Sequence, residues 1–282
     1  MMKMSLSIGS VNQLKVIRKT DIGYMLDSDE GEVFLHFNET NHKELKPNDL
    51  VEAFLYFDQK GRLAATLKTP FITKESPGFL EATDVHFGLG VFFHMGINKD
   101  LLLSIDDLPL DNSKWPVKGD QLYLSLKVKG KLVAKIVSKE ELKKEPKSTL
   151  NPKDKVYAYV QKIGREGINL LTEDLNWIFV HQSMVRDDLR LGQKVEVTIT
   201  YQSEKGYTGS LIAQKEVLLF DDANMVLSYL IRKGDLPLTS ESTPEEIKAF
   251  FPLSKKAFKR AIGHLYKERK IDFVDGKTIL VK

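Results

Sequence analysis

The chain has 282 residues, a net charge of +3, no cysteine and an ordinary globular composition, with 42% hydrophobic and 29% charged residues. This composition excludes a disordered or collagen-like chain. The lack of cysteine excludes disulfides, thiolate chemistry and cysteine-ligated zinc. No apolar run approaches the roughly 20 residues that a membrane span needs, so we expect a soluble, cytoplasmic protein without a membrane partner.

One set of sequence features occurs three times, at intervals of about 70 residues. Each repeat opens a strand with a glycine (Gly23, Gly90 or Gly167), continues with a second apolar strand, bends at a polar segment and has a late glycine before its last strand. The apolar residues alternate or form short runs between turn residues, which indicates strands rather than helices. Because five short strands cover a core best by closing on themselves, each repeat predicts a small five-stranded barrel.

The three repeats and the remaining C-terminal segment predict four domains, at residues 1–72, 73–146, 147–219 and 220–282. The fold class is therefore mainly β, with an α+β domain at the C-terminal end. The segment 138–152 is charged and interrupted by prolines, and it is the best candidate for a linker.

The pattern changes after Phe220, where helical signals replace strand signals. Asp221 and Asp222 carry the negative charge that a helix N-terminus favours, which predicts a first helix over 221–233. Thr243 begins a capping box for a second helix that ends near Pro252, and Ser254 caps a third helix to about Lys270. The Asp275-Gly276 turn then predicts a hairpin. Three helices followed by a hairpin resemble a winged helix.

The third predicted helix has one apolar face and one cationic face. Residues 220–282 contain 12 basic and 9 acidic side chains, an excess that accounts for the positive charge of the chain. A solvated face normally mixes both signs because like charges on neighbouring turns repel. We therefore predict that this face contacts a polyanion through Lys255, Lys256, Lys259, Arg260, Lys267 and Lys270.

The repeats also resemble a known domain. A glycine-led strand, then a Val-His-x-Ser sequence, a polar bend and a late glycine are similar to the S1-type RNA-binding domain, a five-stranded oligonucleotide-binding barrel. The third repeat matches best, at 180–183, and the first repeat keeps His36, Asp58 and Arg62. The second repeat departs from the pattern, with Ser104 in the histidine position. Three such domains and a winged helix resemble, over essentially the whole chain, the conserved virulence factor B family of bacterial RNA-binding regulators.

The resemblance implies an RNA-binding face on the barrels. Aromatic rings and a histidine offer stacking surfaces worth about 1–3 kcal/mol per base, while nearby cations hold the phosphates. The candidate residues on the barrel faces are His36, His181, Asp58, Arg62, Tyr24, Phe92, Tyr157, Tyr159 and Tyr207. The role that the resemblance implies is post-transcriptional or virulence regulation.

Catalytic and metal-binding patterns are missing from the sequence. The six histidines show neither zinc spacing nor two histidines four residues apart with a glutamate between them, and the chain contains neither a phosphate-binding loop nor a nucleophile elbow. We therefore expect no enzyme activity, no metal and no cofactor.

The leading hypothesis is a protein that binds single-stranded RNA through its third barrel and its basic helix. The first two barrels would then extend the site or position the protein on a ribosome or another partner. A rival hypothesis is a DNA-binding regulator whose helix 254–270 reads the major groove, although Arg260 is the one bidentate base reader on its basic face. A third hypothesis is an interaction scaffold that binds no nucleic acid.

Overall fold

The chain divides into two compact units, residues 1–209 and 210–282. A computed structural model describes residues 6–28, 31–58, 60–185, 187–203, 206–212 and 214–281, with the backbone alone for 214–218 and 221. Residues 1–5 of the predicted first domain and residue 282 of the predicted last domain therefore lie outside the described residues. The domain boundaries stay predictions.

The first unit contains three closed five-stranded barrels with the same topology. The first barrel consists of β1 (Val11–Lys19), β2 (Gly23–Ser28), β3 (Gly31–His36), β4 (Leu50–Phe57) and β5 (Leu63–Thr66). The second consists of β6 (Gly78–His86), β7 (Gly90–His94), β8 (Asp100–Ser104), β9 (Gln121–Val128) and β10 (Leu132–Ile136). The third consists of β11 (Lys155–Ile163), β12 (Gly167–Leu171), β13 (Trp177–His181), β14 (Lys194–Ser203) and β15 (Gly206–Ser210).

In each barrel the third strand pairs in parallel with the fifth, and the first strand pairs antiparallel with the fourth to close the barrel. Side chains alternate between the core and the outer face, as strand geometry requires. The core of the first barrel includes Leu14, Val16, Leu26, Val33, Leu35 and Leu55. The predicted fold class of three barrels is confirmed.

The glycine that opens each repeat lies where two strands approach too closely for a side chain. Gly23, Gly90 and Gly167 each begin the second strand of their barrel and pair with the last residue of the third strand. A Cβ atom at any of them would overlap the backbone carbonyl oxygen of the residue just before that partner. The repeated glycine is therefore a requirement of barrel closure.

A buried glutamine joins the second barrel to the third. Gln161 on β11 is 1% exposed. Its side-chain amide donates to the carbonyl oxygens of Tyr123 (2.7 Å) and Val137 (3.2 Å), and its Oε1 accepts the N–H of Tyr123 at 3.2 Å. Because a buried backbone group left without a partner is costly, these three bonds fix β11 against β9.

An ion pair and an apolar cluster complete this junction. Arg190 donates from Nε and Nη2 to the two carboxylate oxygens of Asp120, at 2.7 and 3.0 Å, and the Asp120 side chain is 8% exposed. The ring of Phe79 packs against Tyr123 and Tyr159, each with ring centres 5.1 Å apart. Bidentate, largely buried pairs are geometrically specific, so the second and third barrels form one rigid piece.

The segment predicted as a linker packs against the barrels. Leu150 is buried, and Leu142 packs against the apolar cluster of the junction. The N–H of Lys147 donates to the carbonyl oxygen of Asp174 at 2.8 Å, and the side-chain amide of Asn176 donates to Ser148 Oγ at 2.9 Å. Packing and hydrogen bonds therefore hold the connection between the second and third barrels against the barrels.

The first barrel also contacts the second. The N–H of Lys74 donates to the carbonyl oxygen of Gly9 at 2.8 Å, and Ser10 Oγ donates to Glu75 Oε1 at 2.6 Å. The Asn98 side chain donates to Glu39 Oε1 at 2.7 Å. These contacts hold the segment before β1 and the turn after β3 of the first barrel against the second barrel and the residues that lead into it.

The second unit has the helices and hairpin of a winged helix. Its elements are α1 (Gln214–Lys233), β16 (Asp235–Leu236), α2 (Pro244–Lys248), α3 (Lys255–Lys267), β17 (Ile271–Val274) and β18 (Lys277–Leu280). The capping box at Thr243 and the cap at Ser254 are confirmed. Among the described helices, none combines the length and apolar character of a membrane span.

Two predicted helix bounds are wrong. α1 begins at Gln214 rather than at residue 221, because residues 214–220 contain neither glycine nor proline and continue the helical pattern upstream. Asp221 and Asp222 therefore lie inside the helix. α3 ends at Lys267, so Lys270 follows the helix instead of belonging to it.

We predict that Gln161→Ala destabilises the first unit by about 3 kcal/mol, because it leaves buried backbone groups of the second barrel without partners. Urea unfolding followed by tryptophan fluorescence measures this, since both tryptophans, Trp115 and Trp177, lie in the first unit. The exposed Gln182→Ala is the control and should change stability by less than about 0.5 kcal/mol. Equal effects of the two variants would contradict the junction as described.

We also predict opposite effects for two glycine-to-alanine substitutions. Gly167→Ala should destabilise the protein by about 1–3 kcal/mol, because its methyl group overlaps the backbone of β13. Gly263→Ala in α3 should stabilise it by about 1 kcal/mol, because nothing lies within 4 Å of its Cβ position. Thermal unfolding of both variants checks the sign of each change.

Candidate nucleic-acid interface

The outer face of the second and third strands in each barrel presents one cross-strand pair. The pairs are Met25 with Phe34, Phe92 with Leu102, and Asn169 with Phe179. In the first and third barrels the phenylalanine ring leans over the opening glycine, 2.9 and 3.0 Å from its Cβ position. The missing glycine side chain thus makes room for an aromatic ring on this face.

The predicted histidines stand at the end of this face and cap a turn. His36 Nδ1 accepts the N–H of Asn38 at 3.1 Å, and His181 Nδ1 accepts the N–H of Ser183 at 3.2 Å. The neutral ring must then carry its proton on Nε2, which becomes the free donor. His181 is exposed and His36 is half-buried, with its ring centre 6.1 Å from that of Phe34.

Ser104 caps the same turn in the second barrel. Its Oγ accepts the N–H of Asp106 at 3.4 Å, as a histidine nitrogen does in the other two barrels. The position therefore has a structural function in all three repeats. The histidine adds a ring that the second barrel lacks.

Two of the predicted stacking residues are corrected, because their rings are covered. Tyr24 is 3% exposed, and its hydroxyl accepts the N–H of Leu45 at 3.2 Å. It follows the opening glycine, so strand alternation directs it into the core. Tyr159 is 4% exposed and lies in the junction against Phe79. Burial and its hydrogen bond to Glu173 raise the pKa of Tyr159. Neither ring is accessible to a base.

The other two tyrosines are accessible to solvent to different extents. Tyr207 is half-buried, and its hydroxyl accepts the N–H of Leu150 at 3.2 Å, which fastens the connecting segment. Tyr157 is 61% exposed, with Lys194 Nζ 5.5 Å from its ring centre. Ile163 of the same strand pairs with Ile168, the residue next to Gly167. Tyr157 lies six residues before Ile163, which is about 20 Å along the strand. Tyr157 is therefore on a different part of the third barrel.

Phe92 and the Asp58–Arg62 bend keep positions that suit the prediction. Phe92 is half-buried on the outer face of β7. Asp58 accepts the N–H groups of Lys60 and Arg62 and the Nε–H of Arg62 at 2.8–2.9 Å. The backbone hydrogen bond from Arg62 is the largest cause that lowers the pKa of Asp58. Asp58 therefore orders the bend and holds the exposed Arg62 guanidinium.

The basic helix α3 has the two faces that the sequence predicts. Phe258, Ala261, Ile262 and Leu265 are buried in the core of the second unit. Lys256, Lys259, Arg260 and Lys267 are exposed, and Lys255 is half-buried.

Only part of this cationic face lacks a carboxylate partner. Lys259 Nζ lies 3.5 Å from Glu241 Oε1, and Lys270 Nζ lies 2.8 Å from Glu268 Oε2. Hydrogen bonding from Ser240 and the charge of Lys259 lower the pKa of Glu241. Within the described part of the chain, no carboxylate lies within ion-pair distance of the cations that remain. These are Lys255, Lys256, Arg260 and Lys267, of which Lys255 donates from Nζ to the backbone carbonyl oxygen of Glu241 at 3.4 Å.

Sequence reasoning missed an exposed aromatic pair beside this face. Tyr266 on α3 is 52% exposed and Phe273 on β17 is 39% exposed, with their ring centres 5.4 Å apart. At about 100° per residue, Tyr266 falls on the helix between Lys255 and Lys259. The sequence did contain a signal for this pair, because Tyr266 is an aromatic residue on the cationic face of the predicted helix.

The described residues contain no group of three or more metal-ligating side chains that could hold a metal ion. The described pockets are open grooves at strand and barrel boundaries rather than enclosed cavities.

Family comparisons match three parts of the chain. The S1 domain matches residues 8–68, and the CvfB first S1-like domain matches residues 78–134. The CvfB-like winged helix domain matches residues 224–280. S1-like and winged-helix domains are non-catalytic domain types.

Relatives match over nearly the whole chain. A Bacillus subtilis protein called YitL, described as uncharacterized, is 34% identical over 97% of this chain and 94% of its own length. A crystal structure of a Streptococcus pneumoniae multidomain protein with nucleic acid binding domains is 29% identical, with a TM-score of 0.63 over 97% of this chain and 98% of that one. Conserved virulence factor B of Staphylococcus aureus strain N315 is 34% identical over 98% of this chain and 94% of that protein. The chain belongs to the conserved virulence factor B family.

Proposed function

We propose that this protein binds single-stranded RNA and regulates gene expression after transcription, through binding rather than catalysis. The third barrel would hold bases on the outer face of β12 and β13. The cationic face of α3 would hold phosphates. The family name and the nucleic acid binding domains of the pneumococcal relative support a regulatory, nucleic-acid-binding function.

The observation that carries the proposal is the exposed His181 ring at the end of the Asn169–Phe179 face. Its Nδ1 is occupied by the N–H of Ser183, so the ring is held in one orientation with Nε2–H as a donor. Unstacked bases bind such surfaces by stacking and edge hydrogen bonds. Duplex DNA offers neither open base faces nor room for a barrel in a groove. This favours a single strand for the barrel.

The DNA-binding alternative rests on α3. Its exposed cations include Arg260, which can read guanine, whereas lysines mostly contact phosphates. Competition between nucleic acids separates the two functions, and the whole chain must be used because a cut near residue 150 would separate Gln161 from its partners in the second barrel.

We predict that labelled single-stranded RNA is displaced better by RNA than by single-stranded or duplex DNA, as measured by fluorescence anisotropy. Lys256→Glu/Arg260→Glu should weaken RNA binding roughly tenfold or more and make its salt dependence shallower, because lost phosphate contacts release fewer counterions. Lys233→Glu/Lys248→Glu, which makes the same charge change on exposed residues elsewhere in the second unit, should have a much smaller effect.

Other outcomes identify the other functions. Stronger displacement by duplex DNA would make the winged helix a DNA reader and would contradict the RNA proposal. No binding to any nucleic acid would favour a protein-interaction scaffold. Equal losses in both charge variants would assign the effect to net charge instead of to α3.

A second prediction separates the ring of His181 from its capping role. His181→Ser keeps a side-chain acceptor for the N–H of Ser183, as Ser104 does in the second barrel, whereas His181→Ala removes it. We expect both variants to lose RNA affinity by about 1–3 kcal/mol because both lose the ring. Only the alanine variant should lose stability, by about 1 kcal/mol. Unchanged affinity of His181→Ser would contradict a role of the ring in binding.

A further inference from the structure

The second barrel has a lysine-rich surface around its β9–β10 hairpin. Lys74, Lys127, Lys129 and Lys135 line a groove of about 560 Å³ together with one acidic residue, Glu141. We call it the lysine groove. The hairpin between β9 and β10 supplies most of it, with the sequence Lys127-Val128-Lys129-Gly130-Lys131.

The cations of this groove are poorly neutralised by the protein. Lys135 Nζ lies 3.4 Å from Asp107, but no carboxylate of the described residues lies within ion-pair distance of Lys74, Lys127 or Lys129. The register pairs Lys127 with Val133 and Lys135 with Ser125, so Lys127 and Lys135 are diagonal neighbours on the outer face. Like charges so close are unfavourable, which indicates a surface suited to an external anion.

A second groove begins where the lysine groove ends. Lys135 also lines a groove of about 630 Å³ between the second and third barrels, which we call the junction groove. Its other walls include Lys139 and Lys162, with Asp107 and Glu140 as the acidic residues, and its floor includes Asn169 and Trp177. The junction groove therefore leads directly to the β12–β13 face of the third barrel.

The floor of the junction groove offers a defined hydrogen-bond donor. Trp177 Nε1 donates to Asn169 Oδ1 at 3.0 Å. Because an indole N–H can only donate, this bond fixes the Asn169 amide with its NH₂ group on the other side. The barrels on either side are held by Gln161 and by the Arg190–Asp120 pair, so the groove is formed before any ligand arrives.

At its other end the lysine groove approaches the first barrel. Burial is the main cause that lowers the pKa of Lys99, while the charge of Asp58 raises it and that of Lys131 lowers it. Lys99 Nζ donates to the carbonyl oxygen of Phe57, next to the Asp58–Arg62 bend. Cations thus continue from the third barrel across the second to the bend of the first.

We infer that the second barrel carries the phosphate backbone of an RNA strand through the lysine groove, as a continuation of the path that leaves the third barrel by the junction groove. The inference rests on the proposed function, since it extends the same bound strand. Lysine ammonium groups hold phosphates as point charges without reading bases. The second barrel therefore adds affinity and length to the site, but no sequence preference.

The test is RNA affinity as a function of oligonucleotide length for the full chain and for Lys127→Glu/Lys129→Glu. The probes are oligouridines of about 4 to 16 nucleotides, the range of site sizes known for such barrels. We expect the variant to bind the shortest oligomers like the unmodified protein and the longest ones roughly tenfold more weakly, with a salt slope reduced by about 0.7 for each lost contact.

The matched control is Lys118→Glu/Lys143→Glu, which makes the same charge change at exposed lysines that line neither groove. If the lysine-groove variant and the control bind long RNA equally well, the inference is wrong while RNA binding itself stands. If the unmodified chain binds no oligouridine at any length, the proposed function fails first. A loss that is equal at all lengths would also overturn the inference, because it would indicate a general charge effect.

A second readout uses the floor of the junction groove. In a Trp115→Phe variant, Trp177 is the one remaining tryptophan, so its fluorescence reports on this groove. We expect long oligouridine to change that emission and Lys139→Glu/Lys162→Glu to abolish the change. Emission that stays constant at saturating RNA would exclude the strand from the junction groove.

Discussion

The buried Gln161 amide is the constraint on which the geometry of the first unit depends. One side chain satisfies backbone groups of Tyr123 and Val137 in the neighbouring barrel, so the third barrel cannot rotate against the second without leaving buried polar groups unpaired. The Arg190–Asp120 pair adds a second fixed point. Two barrels joined by a flexible linker lose conformational entropy when a ligand fixes their arrangement. The second and third barrels are already fixed relative to each other, so a ligand in the junction groove does not have to order them.

The barrels could be predicted because their signals are local. Strand alternation and the glycines at 23, 90 and 167 depend on contacts within one hairpin, where a side chain would overlap the paired strand. The histidines were assigned to the binding face from the resemblance to the S1-type domain, and in the structure each caps the turn that follows its own strand. The fold class and the face that carries His181 therefore follow from sequence.

The accessible residues could not be predicted as well, because accessibility depends on distant parts of the chain. Tyr159 is covered by Phe79 of another barrel, and no pattern within the third repeat reveals that contact. Strand alternation from Gly23 directs Tyr24 into the core, where it is 3% exposed, and this local signal outweighs the aromatic character of the side chain. The cationic hairpin of the second barrel was hidden by an equal count of acidic side chains elsewhere in that repeat.

Ser104 shows how a repeated domain can separate structure from binding. The capping hydrogen bond is kept at this position while the aromatic ring is absent, so the fold needs an acceptor there and nothing more. Without the histidine, that face keeps the partly exposed ring of Phe92 but loses the second ring and its Nε2–H donor. The same barrel instead gathers lysines on the outer side of β9 and β10. Because phosphate binding needs charge rather than ring geometry, a barrel without the histidine can still contribute to a continuous binding path.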